Sequence, residues 1–205
     1  LEVSAFYDPM IAKLIVKGDN RDDALKKIVS AIEETRIDGI ETNLRYLGAI
    51  VKSNVFGEGK QTTKYLDSFA YAPNSIDVLR PGTQTTVQDY PGRSGYWDIG
   101  VPPSGPFDSF SFRYANRLVG NDELAAGLEI AIAGPTLRFN TDSVISLCGA
   151  VIEASIDGES IAMNEAVAVK AGSTLKLKKV QNRGLRCYLA VRGGFDLPEY
   201  LGSRS

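Results

Sequence analysis

The chain contains no histidine. That absence removes Ser-His-Asp hydrolysis, Cys-His proteolysis and histidine-ligated metals, and leaves any proton transfer to Asp, Glu, Lys, Tyr or the substrate. Cysteine is scarce. Cys148 and Cys187 sit on separate strand-like segments, with no spacing that suits zinc. They read as two small buried thiols in a reducing compartment, with a disulfide between them left open. A basic surplus is also missing: 23 Lys and Arg face 25 Asp and Glu, a formal net charge of −2. Nucleic-acid binding normally needs the reverse balance. No apolar run approaches the ~20 residues that span a bilayer. Leu1-Glu-Val-Ser lacks the basic and apolar regions of a secretory leader. The expectation is a cytoplasmic protein with neither nucleic acid nor membrane as partner. There is no initiator Met, and Ser205 ends inside a motif, Leu201-Gly-Ser-Arg-Ser, which points to an interior piece of a larger polypeptide.

A length of 205 residues is ample for a real core and a soft prior for one or two domains. The most informative stretch is Arg93-Ser-Gly-Tyr-Trp-Asp-Ile-Gly-Val-Pro-Pro-Ser-Gly-Pro-Phe-Asp108, which packs three prolines and three glycines into sixteen residues. Proline fixes φ and glycine opens turns closed to other residues, so the two together describe a stiff, irregular loop. Such a loop is either a structural connection or a preorganised display of Arg93, Tyr96, Trp97, Asp98, Ser104 and Asp108.

The texture of the chain changes near Asn74-Ser75, which predicts two domains, 1–72 and 73–205. In the first, Met10 to Val16 reads as a buried strand. Asp19-Asn20 then caps a helix with Asp22 and Asp23 in its first turn and Leu25, Ile28, Val29 and Ile32 along one face. Thr42 is the predicted cap of a second helix with an apolar face of Leu44, Leu47 and Val51. The second domain offers strand-like segments near 76–79, 84–88, 127–132, 136–139, 143–148, 151–156, 159–163, 166–169, 174–180 and 185–191. Strands at this spacing predict a barrel or sandwich. Asp157-Gly158 is a two-residue hairpin signal. Lys170, Lys176, Lys178 and Lys179 read as a solvated face. One helix interrupts, with Asp108 as N-cap, Phe112, Ala115, Leu118 and Val119 inward, and Gly120 as its stop. The fold class is α+β.

Several motifs resemble known families. Tyr7-Asp-Pro-Met-Ile-Ala-Lys-Leu-Ile-Val-Lys-Gly18, with Thr35-Arg-Ile-Asp-Gly-Ile-Glu-Thr-Asn43, resembles the C-terminal subdomain of biotin carboxylase. Val78-Leu-Arg-Pro-Gly, Thr85-Thr-Val-Gln-Asp89, Gly92-Arg, Gly95-Tyr-Trp, Gly100-Val-Pro and Ser104-Gly-Pro-Phe-Asp108 resemble a second family, the carboxyltransferase domain of urea carboxylase and its relative in 5-oxoprolinase. Ala190-Val-Arg-Gly-Gly-Phe-Asp-Leu-Pro-Glu-Tyr-Leu-Gly-Ser-Arg-Ser205 is similar to that family's second motif. The order of the two resembles urea carboxylase, also found within urea amidolyase. The resemblance implies a small α+β subdomain followed by a mostly β, barrel-like (cyclophilin-like) domain. It also implies an ATP- and Mg-dependent ligase that carboxylates a tethered biotin and passes the carboxyl group to urea, giving allophanate. The ATP site, the biotin carrier domain and the remaining carboxylase and carboxyltransferase segments are expected outside this chain, as partners. The rival readings are a carboxylase for 5-oxoproline or another amide, and a non-catalytic protein-binding module.

Carboxyl transfer is chiefly positioning and electrostatics, because charge develops on the ureido oxygen and the acceptor must lose a proton. On this resemblance Arg93 and Ser104 are candidate donors to the ureido oxygen or carboxylate, and Asp98 or Asp108 would accept from urea N–H groups. These four form the candidate catalytic set. Tyr96 and Trp97 offer flat faces, Gly193 and Gly194 close backbone approach, and Ser203 and Arg204 further donors. Tyr7 and Asp8 would lie near the biotin pocket, or Asp8 is a buried carboxylate closing a strand end. Asp108 is also read as an N-cap, Trp97 as core, and Asp89 and Asp196 as turn residues. A metal site is not expected.

Overall fold

A computed structural model describes residues 6, 8–37, 39–40, 42–181 and 183–205, which divide into two units, 1–73 and 74–205. In the first, the Asn20 side chain accepts from Asp23 N at 2.9 Å and starts helix α1 (Arg21–Glu34). This satisfies one of the backbone donors that a helix start leaves open. The predicted face of Leu25, Ile28, Val29 and Ile32 is half-buried, while Lys26, Lys27, Glu33 and Glu34 are exposed. Helix α2 (Leu44–Lys52) begins after Asn43 rather than Thr42, and Asn43 supplies no side-chain cap. Its inner face also differs from the predicted one: Gly48 and Ile50 are buried and Leu47 is exposed. The reason is helix packing. A Cβ at Gly48 would lie 3.4 Å from the Ile32 side chain, so the glycine lets α2 approach α1 closely. A short helix, α3 (Asn54–Gly57), is capped by Ser53 and tied back by Arg21 Nε donating to Gly57 O at 3.2 Å.

The strand predicted at Met10–Val16 does not form among the described residues. Met10, Ile11, Leu14 and Ile15 are exposed, and no neighbouring strand pairs with them. An apolar run can favour extended backbone, but a strand needs a ladder partner to satisfy its N–H and C=O groups.

The second unit holds β1 (Ile76–Arg80), β2 (Gln84–Gln88), α4 (Ser109–Leu118), β3 (Gly127–Ala131), β4 (Thr136–Phe139), β5 (Ser143–Gly149), β6 (Ile152–Ile156), β7 (Glu159–Ser160), β8 (Val167–Val169), β9 (Thr174–Val180) and β10 (Arg186–Val191). They form two antiparallel five-stranded sheets, ordered β1-β4-β9-β6-β7 and β2-β3-β10-β5-β8. The class is α+β, as predicted. Inward residues of both sheets share one core, from Ile130, Ile145, Leu147 and Leu189 on one side to Leu137, Phe139, Leu175 and Leu177 on the other. Strand β10 is buried on both faces. Its Cys187, Leu189 and Val191 point to that core, while Tyr188 and Ala190 pack with Phe112 and Ala115 of α4 and with Val119 just beyond its end. Helix α4 therefore forms a third layer outside the second sheet.

Asp157 and Gly158 adopt φ of 51° and 93°, the left-handed pair of a type I′ hairpin. Strand β7 stops at Ser160, short of the predicted 163, because Met163 turns in against the core. The lysine cluster is exposed, with Lys170 paired to Asp142 and Lys178 to Glu153. Cys148 and Cys187 are free and buried, and they face opposite sides of the second sheet, so no disulfide can join them. Burial pushes the Cys148 thiol up to about 11; burial and then the neighbouring Cys148 push Cys187 to about 12. Among the described residues, no helix is long and apolar enough to cross a membrane.

Candidate functional site

The stiff loop leaves the end of β2 and returns to the start of α4. It is pinched shut at its base. Gly92 and Gly105 have φ of 86° and 113°, and a Cβ on Gly92 would lie 2.3 Å from Ser104 O. Only glycine fits there. Across the pinch, Ser104 N donates to Arg93 O at 3.0 Å and Arg93 N donates to Ser104 Oγ at 2.8 Å. The tip is a turn of 3-10 helix at Trp97–Ile99 closed by the left-handed Gly100. Trp97 is 71% exposed there and Asp98 is exposed beside it. The reading of Trp97 as core is thus corrected: the short turn carries the indole away from both sheets.

Against the base of the loop lies the end of the second motif. Leu201 and Gly202, with φ of 53° and 74°, form a tight reversal, and Tyr200 N donates to Ser203 O at 2.8 Å. This buries Ser203 beside Asp89. Ser203 Oγ donates to Asp89 Oδ1 at 2.5 Å, and Arg204 N donates to Asp89 Oδ2 at 2.8 Å. Ser205 N donates to Ser203 Oγ at 3.0 Å, Ser205 Oγ donates to Ser104 Oγ, and Arg93 Nη2 donates to Ser205 O. The Arg93 guanidinium lies 6.0 Å from the Tyr200 ring centre, within cation–π range. Among the described residues, Arg93 Nε is buried without a hydrogen-bond partner.

Four predicted residues, Arg93, Ser104, Ser203 and Arg204, therefore meet in one network, together with Asp89 and Ser205. Asp89 is the residue that sequence reading missed. Taken as a turn residue, it is 7% exposed and accepts two hydrogen bonds. Its position at the end of an alternating strand, in Thr85-Thr-Val-Gln-Asp89, was the available signal. Tyr96, Trp97 and Asp98 stand at the loop tip, and no hydrogen bond among the described residues joins them to the network. Asp108 is held elsewhere. It caps α4 through Ser111, while its own N–H donates to Tyr188 Oη at 2.7 Å. Burial opposes its ionisation, but the Ser111 hydroxyl and the Ser111 and Phe110 amides outweigh that and lower its pKa. Tyr188 in turn donates to Glu129 at 2.9 Å, and burial followed by the Glu129 charge raises its pKa. Gly193 N donates to Asn121 Oδ1 at 2.7 Å and Gly194 N to Val191 O at 2.8 Å, so both stand at the far end of α4. Asp8, in the first unit, is exposed and accepts from Met10 N at 2.9 Å, which corrects the reading of a buried carboxylate; Tyr7 lies outside the described residues. Among the described residues, no group of three His, Cys, Asp or Glu is placed to hold a metal ion.

The model of the carboxyltransferase domain, subdomain A and B, matches residues 99–205, just over half of the chain. The chain belongs to this carboxyltransferase family. Ahead of that match, the model of the biotin carboxylase C-terminal domain covers residues 1–68. The chain is 47% identical to urea amidolyase of Saccharomyces cerevisiae over 203 residues, 99% of its own length and 11% of the relative's. The crystal structure of Kluyveromyces lactis urea carboxylase superposes with a TM-score of 0.88 at 53% identity, covering 99% of this chain and 18% of that one. A 5-oxoprolinase component of Escherichia coli is 42% identical over 130 residues, 63% of this chain and 41% of the relative. This carboxyltransferase-family chain thus spans a small fraction of the length of the relatives that match all of it.

Proposed function

We propose that the chain is a segment of a cytoplasmic urea carboxylase, joining the last subdomain of its biotin carboxylase to the first part of its carboxyltransferase. The supporting observation is the order of two family matches on one chain, 1–68 and 99–205, shared in full with urea amidolyase. The likeness to the 5-oxoprolinase component extends over 63% of the chain, too little to include both matched segments.

In this reading, biotin on a carrier domain of the parent, charged at the expense of ATP with Mg, supplies the carboxyl group. The chain's own residues bind and orient. The buried, unpartnered Arg93 Nε fits an acceptor oxygen, whether ureido or carboxylate. Ser104, Ser203 and Arg204 add donors or hold it in place, and Asp98 and Asp108 are the carboxylates offered to the N–H groups of urea. Trp97 and Tyr96 supply flat apolar faces, Gly193 and Gly194 a close backbone approach, and Tyr7 and Asp8 belong to the biotin pocket of the first unit. Removal of a preorganised donor from such a site costs about 10²–10³ in turnover.

The test is ATP hydrolysis by the biotinylated full-length parent with bicarbonate, comparing added urea and 5-oxoproline. Stimulation by urea alone is expected. Stimulation by 5-oxoproline alone, or by neither, would overturn the assignment.

A further inference from the structure

Three backbone irregularities adjoin one cleft of the first sheet. In β1, Val78 pairs with Leu137 while Arg80, two residues on, pairs with Thr136, so Leu79 is an extra residue in the ladder. Ile76 packs on the core, and strict alternation through Val78 would send residue 80 to that side. The bulge instead sets Arg80 beside Thr136. In β9, Leu177 pairs with Ala154 and Val180 with Ile152, so Lys178 and Lys179 together oppose the single Glu153. Leu175 and Leu177 face the core, and without this second bulge residue 179 would follow them. Both lysines are exposed instead, and Val180 packs on the core. The third irregularity lies between β3 and β4. Ala133 N donates to Ala131 O at 2.8 Å across Ile132, whose φ of 67° is a rare, strained conformation for a β-branched residue. Ile132 is 52% exposed, so core packing does not compensate. Val180 N donates to Ile132 O at 2.8 Å and ties this turn to the end of the β9 bulge.

The cleft has a volume of about 400 Å³; Arg80, Thr136, Lys176, Lys178 and Lys179 line it, and no carboxylate or aromatic side chain does. Arg80, Thr136 and Lys176 lie directly opposite one another on three neighbouring strands, which are spaced about 4.8 Å apart. Lys178 is paired to Glu153 at 2.7 Å, whereas Arg80, Lys176 and Lys179 have no ion pair among the described residues. The chain as a whole is slightly acidic, at −2, so these cations are a local concentration rather than a sample of a basic surface. Like charges around one cleft focus a field that draws in a counter-ion. A bulge re-aims a side chain at the expense of ladder pairing, and a strained turn persists only where its surroundings hold it. We propose that this cleft binds a compact oxyanion with two or more negative charges, a condensed phosphate or a polycarboxylate. Arg80 is its forked donor, and Lys176 and Lys179 are point charges. The site shares no residue with the Asp89–Ser203 network, so its failure would leave the carboxyltransferase reading untouched.

The experiment titrates this 205-residue chain with inorganic pyrophosphate, with citrate and with a glutamate oligopeptide, followed by calorimetry and by NMR of the backbone amides. Pyrophosphate or citrate is expected to give saturable shifts centred on Thr83, Ala133, Thr136 and residues 176–179, and to bind more weakly as salt rises. The tighter of the two names the source of the oxyanion. Arg80→Gln and Lys179→Gln are each expected to weaken binding by about three- to tenfold. Both side chains are exposed, so these variants keep the fold. Lys26→Gln removes an exposed cation of the first unit and is expected to leave the affinity unchanged. An equal loss from Lys26→Gln would show diffuse charge rather than a site and would overturn the proposal, as would shifts that do not saturate. Tighter binding of the oligopeptide than of either small anion would overturn it in favour of an acidic protein segment.

Discussion

Asp89 and Ser203 lie 114 positions apart in sequence, are both buried, and are joined by a 2.5 Å hydrogen bond. The bond fastens the second motif onto the base of the loop that carries the first. Ser203→Ala leaves one oxygen of a buried carboxylate without its donor. Loss of a hydrogen bond to a charged group costs about 1.5–3 kcal/mol, so the guanidinium midpoint of the second unit falls accordingly. An unchanged midpoint would show that water replaces the hydroxyl at no cost.

Gly92 is the tightest point of the loop. With φ of 86° and a would-be Cβ 2.3 Å from Ser104 O, alanine there meets backbone that cannot swing aside. The left-handed conformation alone costs a non-glycine residue about 1–2 kcal/mol, and the clash adds to it. Gly92→Ala is expected to destabilise the second unit by more than that amount and to broaden the Arg93 and Ser104 amide resonances. Gly95→Ala, with nothing within 4 Å of the added carbon, meets the backbone strain without the clash and loses less.

The lowered pKa of Asp108 ties the start of α4 to pH. A carboxyl depressed on folding contributes stability that is complete above its unfolded value, near 3.8, and is lost as pH falls through the folded value. Acid unfolding of the native chain therefore steepens below about pH 4. Asp108→Asn keeps an N-cap acceptor but removes this slope, and the two proteins converge at low pH. Parallel acid curves would show that Asp108 does not contribute to it.

Both cysteines are buried, with pKa values pushed up to about 11 and about 12. The thiolate is the reactive form. Native chain at pH 8 is expected to resist an aromatic disulfide reagent and to react fully only when unfolded by guanidinium. Rapid native labelling at either position would contradict the packing of β5 and β10.

The elements legible in the sequence were those whose signal is local. Helix α1 announced its cap, its first-turn carboxylates and its apolar face within sixteen residues, and every inner position lay where the 3.6-residue period put it. The ten strands and the Asp157-Gly158 turn were visible for the same reason. Failures came where a partner decided the outcome. Met10–Val16 has strand chemistry but no paired neighbour among the described residues, and Gly48 took the inner place predicted for Leu47 because α1 packs there.

The candidate site divides in the same way. Local sequence determined a rigid loop, since proline and glycine act on their own backbone, and it determined Asp108 as the cap of α4, since capping reaches only to Ser111. Only the tertiary structure decided that Asp89 is buried, that Ser203 donates to it, and that Arg93 and Ser104 share one network while Asp98 and Asp108 stand outside it. Hydrogen bonds between residues 99 to 115 positions apart depend on the second sheet, which places β2 and β10 on either side of β3. No window of sequence short enough to show a period contains both ends of such a bond.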